Sequence, residues 1–346
     1  MKTNHNLPYG VQVWRRFLPG TALVAAAIIA AMIVFATRND TAQPIPDGPE
    51  MSTPPITSQY ASPDTSTGPD ISAAVKPSIT NAEVTTTQSG GTLIGFAPLP
   101  ELPFLKENPV DIPKLPTTRI AYSYGVASGG KPHQISVDAQ KFFESKSYNA
   151  FSYDTKSTDK RLYLTFDIGY ENGVTSGILD TLKEKKVPAA FFSTLHHIKT
   201  APELIARMIT EGHIIGNHSV THPDFTKISR EKMIEEIQGF DNYMRKHFGY
   251  TAPYFRFPEG AYNENALQLV QTLGFTTVFW SVSWADWDVN NQQGKQKAFD
   301  TITARLHPGA VIMLHAVSTD NAGAMADIID FAREQGYEFW ALSDYK

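Results

Sequence analysis

Two histidines set four residues apart offer the first chemistry in this sequence. His218 and His222, within GNHSVTHP, have the spacing that puts two imidazoles on one side of a helical turn, where they could chelate one divalent metal; the plainer alternative is a pair of solvated loop histidines. No Glu follows the first of them, so the zincin protease pattern is absent. Asp167 closes the apolar run YLTFD and could be a general base, a metal ligand or a cap for the following turn. His315 closes VIMLH, where an imidazole could hand a proton to a leaving group or serve only as a structural residue. Asp286, beside Trp287 in SVSWADW, could orient that imidazole or be a plain surface carboxylate. Arg256, in YFRFPEG, could grip a carboxylate with its fork of donors or form an ordinary strand-end salt bridge. Together, a carboxylate base, a two-histidine metal site, an orienting pair and a terminal histidine acid describe hydrolysis of a carbonyl compound by metal-activated water.

These groups stand where short apolar runs stop, so the elements carrying the runs must position them. The pattern predicts strands at Leu162–Phe166, Ala189–Phe192, His213–Ile215, Tyr254–Arg256, Thr276–Val282, Ala310–Leu314 and Glu338–Ala341. Between them it predicts helices over Val174–Lys185, Pro202–Glu211, Ser229–Phe248, Glu264–Leu273, Lys295–Leu306 and Asn321–Gln335. Strands alternating with helices imply a parallel sheet, and a closed β/α barrel accommodates seven of them better than an open doubly wound sheet, which is the second choice. In such a barrel the chemistry lies at the C-terminal strand ends, where these groups fall.

The rest of the 346-residue chain reads as export machinery. Residues 1–16 are basic, and 21 uncharged residues from Phe17 to Thr37 are long enough for a transmembrane helix, or for a signal peptide that is cleaved. Arg15 and Arg16 then lie in the cytoplasm and everything after Arg38 outside it, which expects a single-pass membrane protein or, after cleavage, a secreted one. Residues 38–118 hold 14 of the 23 prolines and no sustained apolar period, and are expected to be a disordered linker, with a small motif around Gly95–Leu105 as the alternative. Residues 119–346 form the expected catalytic domain. The net charge of −5 disfavours a nucleic-acid partner, and the absence of cysteine removes thiol nucleophiles and thiolate metal sites while leaving His and carboxylate sites open.

The segments TFDIGYENG, GHIIGNHSVTHP, RFPEGAY, FWSVSWADW and LHPGAVIMLH resemble, in order, the five motifs of the polysaccharide deacetylases with a NodB homology domain, carbohydrate esterase family 4. The likeness spans about residues 160–345. With FWSV, ADW and VNNQQGK it is most similar to the muramic δ-lactam-forming peptidoglycan N-acetylmuramic acid deacetylases. The resemblance implies a deformed β/α barrel of seven or eight strands that strips N-acetyl groups from a cell-wall glycan with a divalent metal, usually zinc. It implies Asp167 as base, His218 and His222 as metal ligands, Arg256 as the residue positioning the base, and His315 as an acid oriented by Asp286. Trp287 and Leu314 would line the acetyl pocket, and Pro258 and Gly260 would contact substrate. The sequence departs from the family at Ile168, where a second carboxylate ligand is usual, and at Ser283, where many members carry Asp. Chitin oligomers or acetylated xylan are alternative substrates, and a silent glycan-binding wall protein is the alternative of another class.

Overall fold

The computed structural model of the protein describes residues 96–123, 125–156 and 159–345. The expected membrane segment 17–37 and most of the expected linker lie outside the described residues, and among the described residues no helix is long and apolar enough to cross a membrane. In chain order the elements are β1 (Ile120–Ala121), α1 (Gln134–Lys146), β2 (Ala150–Phe151), β3 (Arg161–Ile168), α2 (Thr175–Lys185), β4 (Ala189–Ser193), α3 (Leu195–Thr200), α4 (Pro202–Thr210) and β5 (Ile214–Asn217). They continue with α5 (Arg230–Phe248), β6 (Tyr254–Phe255), a 3-10 turn at Pro258–Gly260, β7 (Ala261–Tyr262), α6 (Glu264–Thr272), β8 (Thr276–Val278), α7 (Lys295–Thr303), β9 (Ala310–His315), α8 (Thr319–Glu334) and β10 (Glu338–Phe339).

One parallel sheet organises the domain. Strand β3 lies between β4 and β9, and the order then runs β4, β5, β6, β8, β2, with β10 paired to the start of β3. The sheet curls until its margins meet. Met313 donates its amide to the Val282 carbonyl at 2.8 Å, and Ser281 donates to Val311 at 2.9 Å, so the segment after β8 bonds back onto β9. An open doubly wound sheet has no such contact between distant margins; the expected barrel-like α/β class is what forms. Strand β3 is buried on nearly its whole length, which is why it reads as a continuous apolar run rather than an alternating one. Phe166 stacks on Phe191 of β4 with ring centroids 5.0 Å apart, inside a core that the flanking helices close.

Helix α5 starts because the Ser229 side chain accepts the Lys232 amide, and it stops at Gly249 in the left-handed region, φ +56°. Gly249 has a second reason to lack a side chain. A Cβ there would lie 2.1 Å from the Ala97 carbonyl oxygen. Residues 96–107 cross this point and run back along α5, correcting the expectation of disorder up to residue 118. Leu99 donates to the Arg245 carbonyl at 2.8 Å, and the Asn242 amide both accepts from and donates to the Leu102 backbone, at 2.7 and 2.8 Å. Leu105 donates to Gln238, and Glu107 takes a two-pronged ion pair from Arg230 at 2.5 and 2.9 Å. Polar side chains of the helix thus satisfy the backbone of a segment with no periodicity of its own, near the alternative motif read at Gly95–Leu105.

Candidate active site

The C-terminal ends of β3, β5, β6 and β9 carry Asp167, His218, Arg256 and His315, as barrel geometry requires. Arg256 is fully buried and organises one half of the site. It donates to Asp167 Oδ1 at 2.6 Å, to the Val278 and Phe279 carbonyls at 3.0 and 3.3 Å, and to Thr165 Oγ1 at 3.0 Å. Its guanidinium lies 4.0 Å from the Phe192 ring centroid. Thr165 can accept because its own hydroxyl proton goes to the Ile312 carbonyl. Burial alone would favour a neutral Asp167; the Arg256 charge beside it outweighs this, and the carboxyl is held below its ordinary range. Asp167 is an ionised carboxylate, aimed by a guanidinium that is itself held through its donors to Val278, Phe279 and Thr165.

His218 is held from the other side. Its Nδ1 lies 2.9 Å from the Arg256 carbonyl, which can only accept, so that nitrogen carries the proton and Nε2 keeps its lone pair. Nε2 is 3.8 Å from Asp167 Oδ2, beyond hydrogen-bonding range. The His222 ring stands 4.8 Å away, centroid to centroid, on a left-handed backbone (φ +59°) fixed by donation from its amide to Ser219 Oγ. Burial pushes His218 down to about 3, and partial desolvation lowers His222, which is itself exposed at the surface, so both rings are neutral at physiological pH, the form that ligates metals. The donor set therefore fits a divalent ion with two imidazoles, the backbone carbonyl playing the usual orienting part behind the first. Among the described residues no group of three or more His, Cys, Asp or Glu is arranged to hold a metal. Ile168, at the position of the usual carboxylate, is fully buried in the apolar core.

The second half of the site is built on His315. Asp286 Oδ1 accepts from its Nδ1 at 2.7 Å, and Oδ2 accepts from its backbone amide at 2.8 Å. Burial disfavours the imidazolium, but the Asp286 charge and hydrogen bond together overcome this and raise the His315 pKa above its ordinary value. Asn321, in the first turn of α8, locks Asp286: its amide donates to Oδ2 at 2.5 Å and to the His315 carbonyl at 3.2 Å, while its oxygen accepts from Trp284 Nε1. Trp287, half exposed, presents its ring 6.1 Å from that of His315.

The structure thus brings Asp167, Arg256, His218 and His222 into one cluster, and His315, Asp286 and Trp287 into a second on the neighbouring strand. Leu314 is fully buried just before His315. Pro258 and Gly260 are buried in the turn after Arg256, and Gly260 accepts from the Tyr122 amide at 2.9 Å. Ser283 donates to the Met313 sulfur. Sequence reading missed Thr165 and Asn321; the one signal for Asn321 was its place three residues after the helix-capping Ser318.

The polysaccharide deacetylase profile matches residues 154–278. The chain is 44% identical over 210 residues to the peptidoglycan-N-acetylmuramic acid deacetylase PdaA of Bacillus subtilis, an alignment that takes in 60% of this chain and 80% of that one. The chain belongs to the polysaccharide deacetylase family. The solved structure of Bacillus subtilis PdaA, a family 4 carbohydrate esterase, superposes on this polysaccharide deacetylase with a TM-score of 0.64 at 40% identity, covering 67% of this chain and 98% of that one. A chitooligosaccharide deacetylase of Rhizobium leguminosarum bv. trifolii is 35% identical over 159 residues, 46% of this chain and 73% of its own. The protein is a polysaccharide deacetylase, and a muramic acid deacetylase is among the relatives it resembles.

Proposed function

We propose that this deacetylase removes the acetyl group from N-acetylmuramic acid in peptidoglycan. The observation that carries the reading is the pairing, on adjacent strands, of an ionised carboxylate clamped by arginine with an imidazole clamped by aspartate. Asp167 accepts the proton of the attacking water, its charge preserved by Arg256 until that moment. His315, whose protonated form Asp286 favours, delivers a proton to the departing amine, so that amide and water become a free amine and acetate. Arg256 and Asp286 touch neither reacting atom; they hold the base and the acid in direction and in charge. His218 and His222 would hold the divalent ion, zinc in our reading. When bound, that ion supplies Lewis acidity toward the amide carbonyl. Trp287, exposed at the rim, offers an aromatic wall to the sugar, and Leu314 backs the acetyl pocket.

The similarity to a muramic acid deacetylase supports the choice of sugar. The buried Ile168 favours a second reading, a silent glycan-binding wall protein, because an anionic ligand is missing. Residues 17–37 we take to anchor the chain in the bacterial membrane, with the catalytic domain outside. The test is incubation with purified peptidoglycan and zinc, followed by mass spectrometry of the digested fragments: loss of acetyl from muramic residues supports the reading, loss from glucosamine residues moves the sugar, and no loss from any glycan supports the silent binder.

A further inference from the structure

The segment before the motifs reaches the loops around the site through the Arg119 side chain, while Tyr122 packs beneath on Phe279 and Trp280. Residues 116–122 run along the turn and strand that follow Arg256. Ile120 and Ala121 pair with Tyr262 and Ala261 in a small antiparallel ribbon. Tyr122 donates its amide to the Gly260 carbonyl, Asn265 donates its amide to Pro116, and the Asn263 side chain donates to the Thr117 carbonyl. A Cβ on Gly260 would lie 2.5 Å from the Tyr122 carbonyl oxygen, so the two backbones approach as closely as glycine allows. This ribbon fixes the starting point of the Arg119 side chain.

From there Arg119 reaches two loops at once. Its Nε donates to Asp224 Oδ2 at 3.0 Å, and its Nη2 lies 3.6 Å from Glu259 Oε2. Asp224 follows His222 by two residues and is itself a hub: its Oδ1 accepts from the Thr226 amide and hydroxyl at 2.9 and 2.6 Å, and its side chain is almost wholly buried. Lys227, largely exposed, is a second cation on Asp224, at 3.4 Å. Glu259 occupies the turn after Arg256 with a left-handed backbone, φ +57°, which a glutamate holds only when its neighbours fix it. The two loops share no hydrogen bond among these contacts; beneath them the buried rings of Phe225 and Phe257 meet edge to face, 5.5 Å between centroids, and Arg119 is the polar tie above that packing. A planar guanidinium has donors on two edges and can span both; an ammonium is a single point.

We propose that Arg119 is a positioning residue for the deacetylation reaction, clamping the loop that carries His222 to the turn that follows Arg256. This rests on the catalytic reading above. Ion pairs of a half-exposed arginine add little to folding stability, so the clamp's effect lies in geometry: displacement of a reacting group by about 1 Å can cost up to 100-fold in rate.

The experiment compares Arg119→Ala, Arg119→Lys and Lys227→Ala in the full chain, with kcat and KM on the glycan and amide hydrogen exchange followed together. The ribbon survives these changes because its bonds are made by the backbone. The expected result is about a tenfold fall in kcat for Arg119→Ala with KM within twofold, only partial recovery in Arg119→Lys, no change in Lys227→Ala, and faster exchange confined to residues 220–227 and 257–262. Wild-type rates in Arg119→Ala, full recovery by lysine, an equal loss in Lys227→Ala, or unchanged exchange in the two loops would each overturn the proposal. The exchange measurement needs no substrate. Failure of the clamp is thereby distinguishable from a mistaken choice of glycan, in which wild type itself releases no acetate.

Discussion

Asp167 and His315 are register partners on adjacent parallel strands, and the amide after His315 donates to the Asp167 carbonyl at 3.3 Å. A carboxylate and an imidazole, the base and the acid of the proposed mechanism, are thereby set side by side by the sheet rather than by a loop. Each is then held by a residue from elsewhere in the chain, Arg256 for one and Asp286 for the other.

Because the Arg256–Asp167 pair is buried, breaking it leaves an uncompensated charge. Arg256→Ala is expected to lower folding stability by about 3–5 kcal/mol and to abolish turnover. Asp167→Asn should retain the fold far better, since the amide oxygen still accepts from Arg256, yet be inactive for want of a base. Urea unfolding beside acetate assays checks both.

In the proposed mechanism the raised pKa of His315 sets the alkaline limb of activity. The acid must be protonated, so kcat should hold above pH 6.5 and fall as the pH passes the raised value. Asp286→Asn removes the charge responsible, and the limb should move to lower pH while kcat at its optimum drops. A pH profile that keeps the same alkaline limb in this variant would contradict the assignment. The same shift adds folding stability that is full below the unfolded pKa and is lost as pH rises through the folded one.

Asn321 is expected to matter as much as a contacting residue, since it bonds Asp286, the His315 carbonyl and Trp284 together. Asn321→Ala should cost about 1–3 kcal/mol of stability through unsatisfied buried partners and reduce kcat by about tenfold. Thermal unfolding and steady-state kinetics separate the two effects.

Two imidazoles without a neighbouring carboxylate ligand would make a weaker metal site than one with three protein ligands. A chelator should extinguish acetate release, zinc should restore it, and His222→Ala should weaken zinc binding by at least about tenfold in a calorimetric titration. Activity untouched by exhaustive chelation would refute the metal role.

Asp241, far from this chemistry in α5, carries a separate pH dependence. Burial raises its pKa to about 6, against the opposing hydrogen bond from the Ala252 amide. A carboxyl raised in the folded state stabilises the fold when protonated, so stability should fall as pH climbs from about 4 to 6, by on the order of 2 kcal/mol. Asp241→Asn should flatten that slope and be the more stable protein at pH 7.5, as denaturation at several pH values would show.

Much of this could be read before any coordinates. The strand ends at Asp167, Arg256 and His315 were legible because a buried parallel strand is a run of apolar residues and its end is where a polar one appears. The expected strand Thr276–Val282 stops as a ladder at Val278, yet its last residues still bond β9 and close the curl. Strands β1, β2 and β7 have two residues each, and their structure comes from distant partners, which leaves no local period to detect. The strap along α5 was hidden for a related reason: its backbone is satisfied by Asn242, Gln238 and Arg245, whose positions on the helix say nothing of what they bind. Beyond its place after the capping Ser318, the importance of Asn321 was not legible, because it lies in Asp286 and Trp284, partners far away in sequence.

The most direct test of the account is acetate released from purified peptidoglycan in the presence of zinc by the wild-type chain, Asp167→Asn and His315→Ala. The paired base and acid predict release from muramic residues by wild type, with at least about a hundredfold loss in each variant. Undiminished release by either variant, or none by wild type from any N-acetylated glycan, would contradict it.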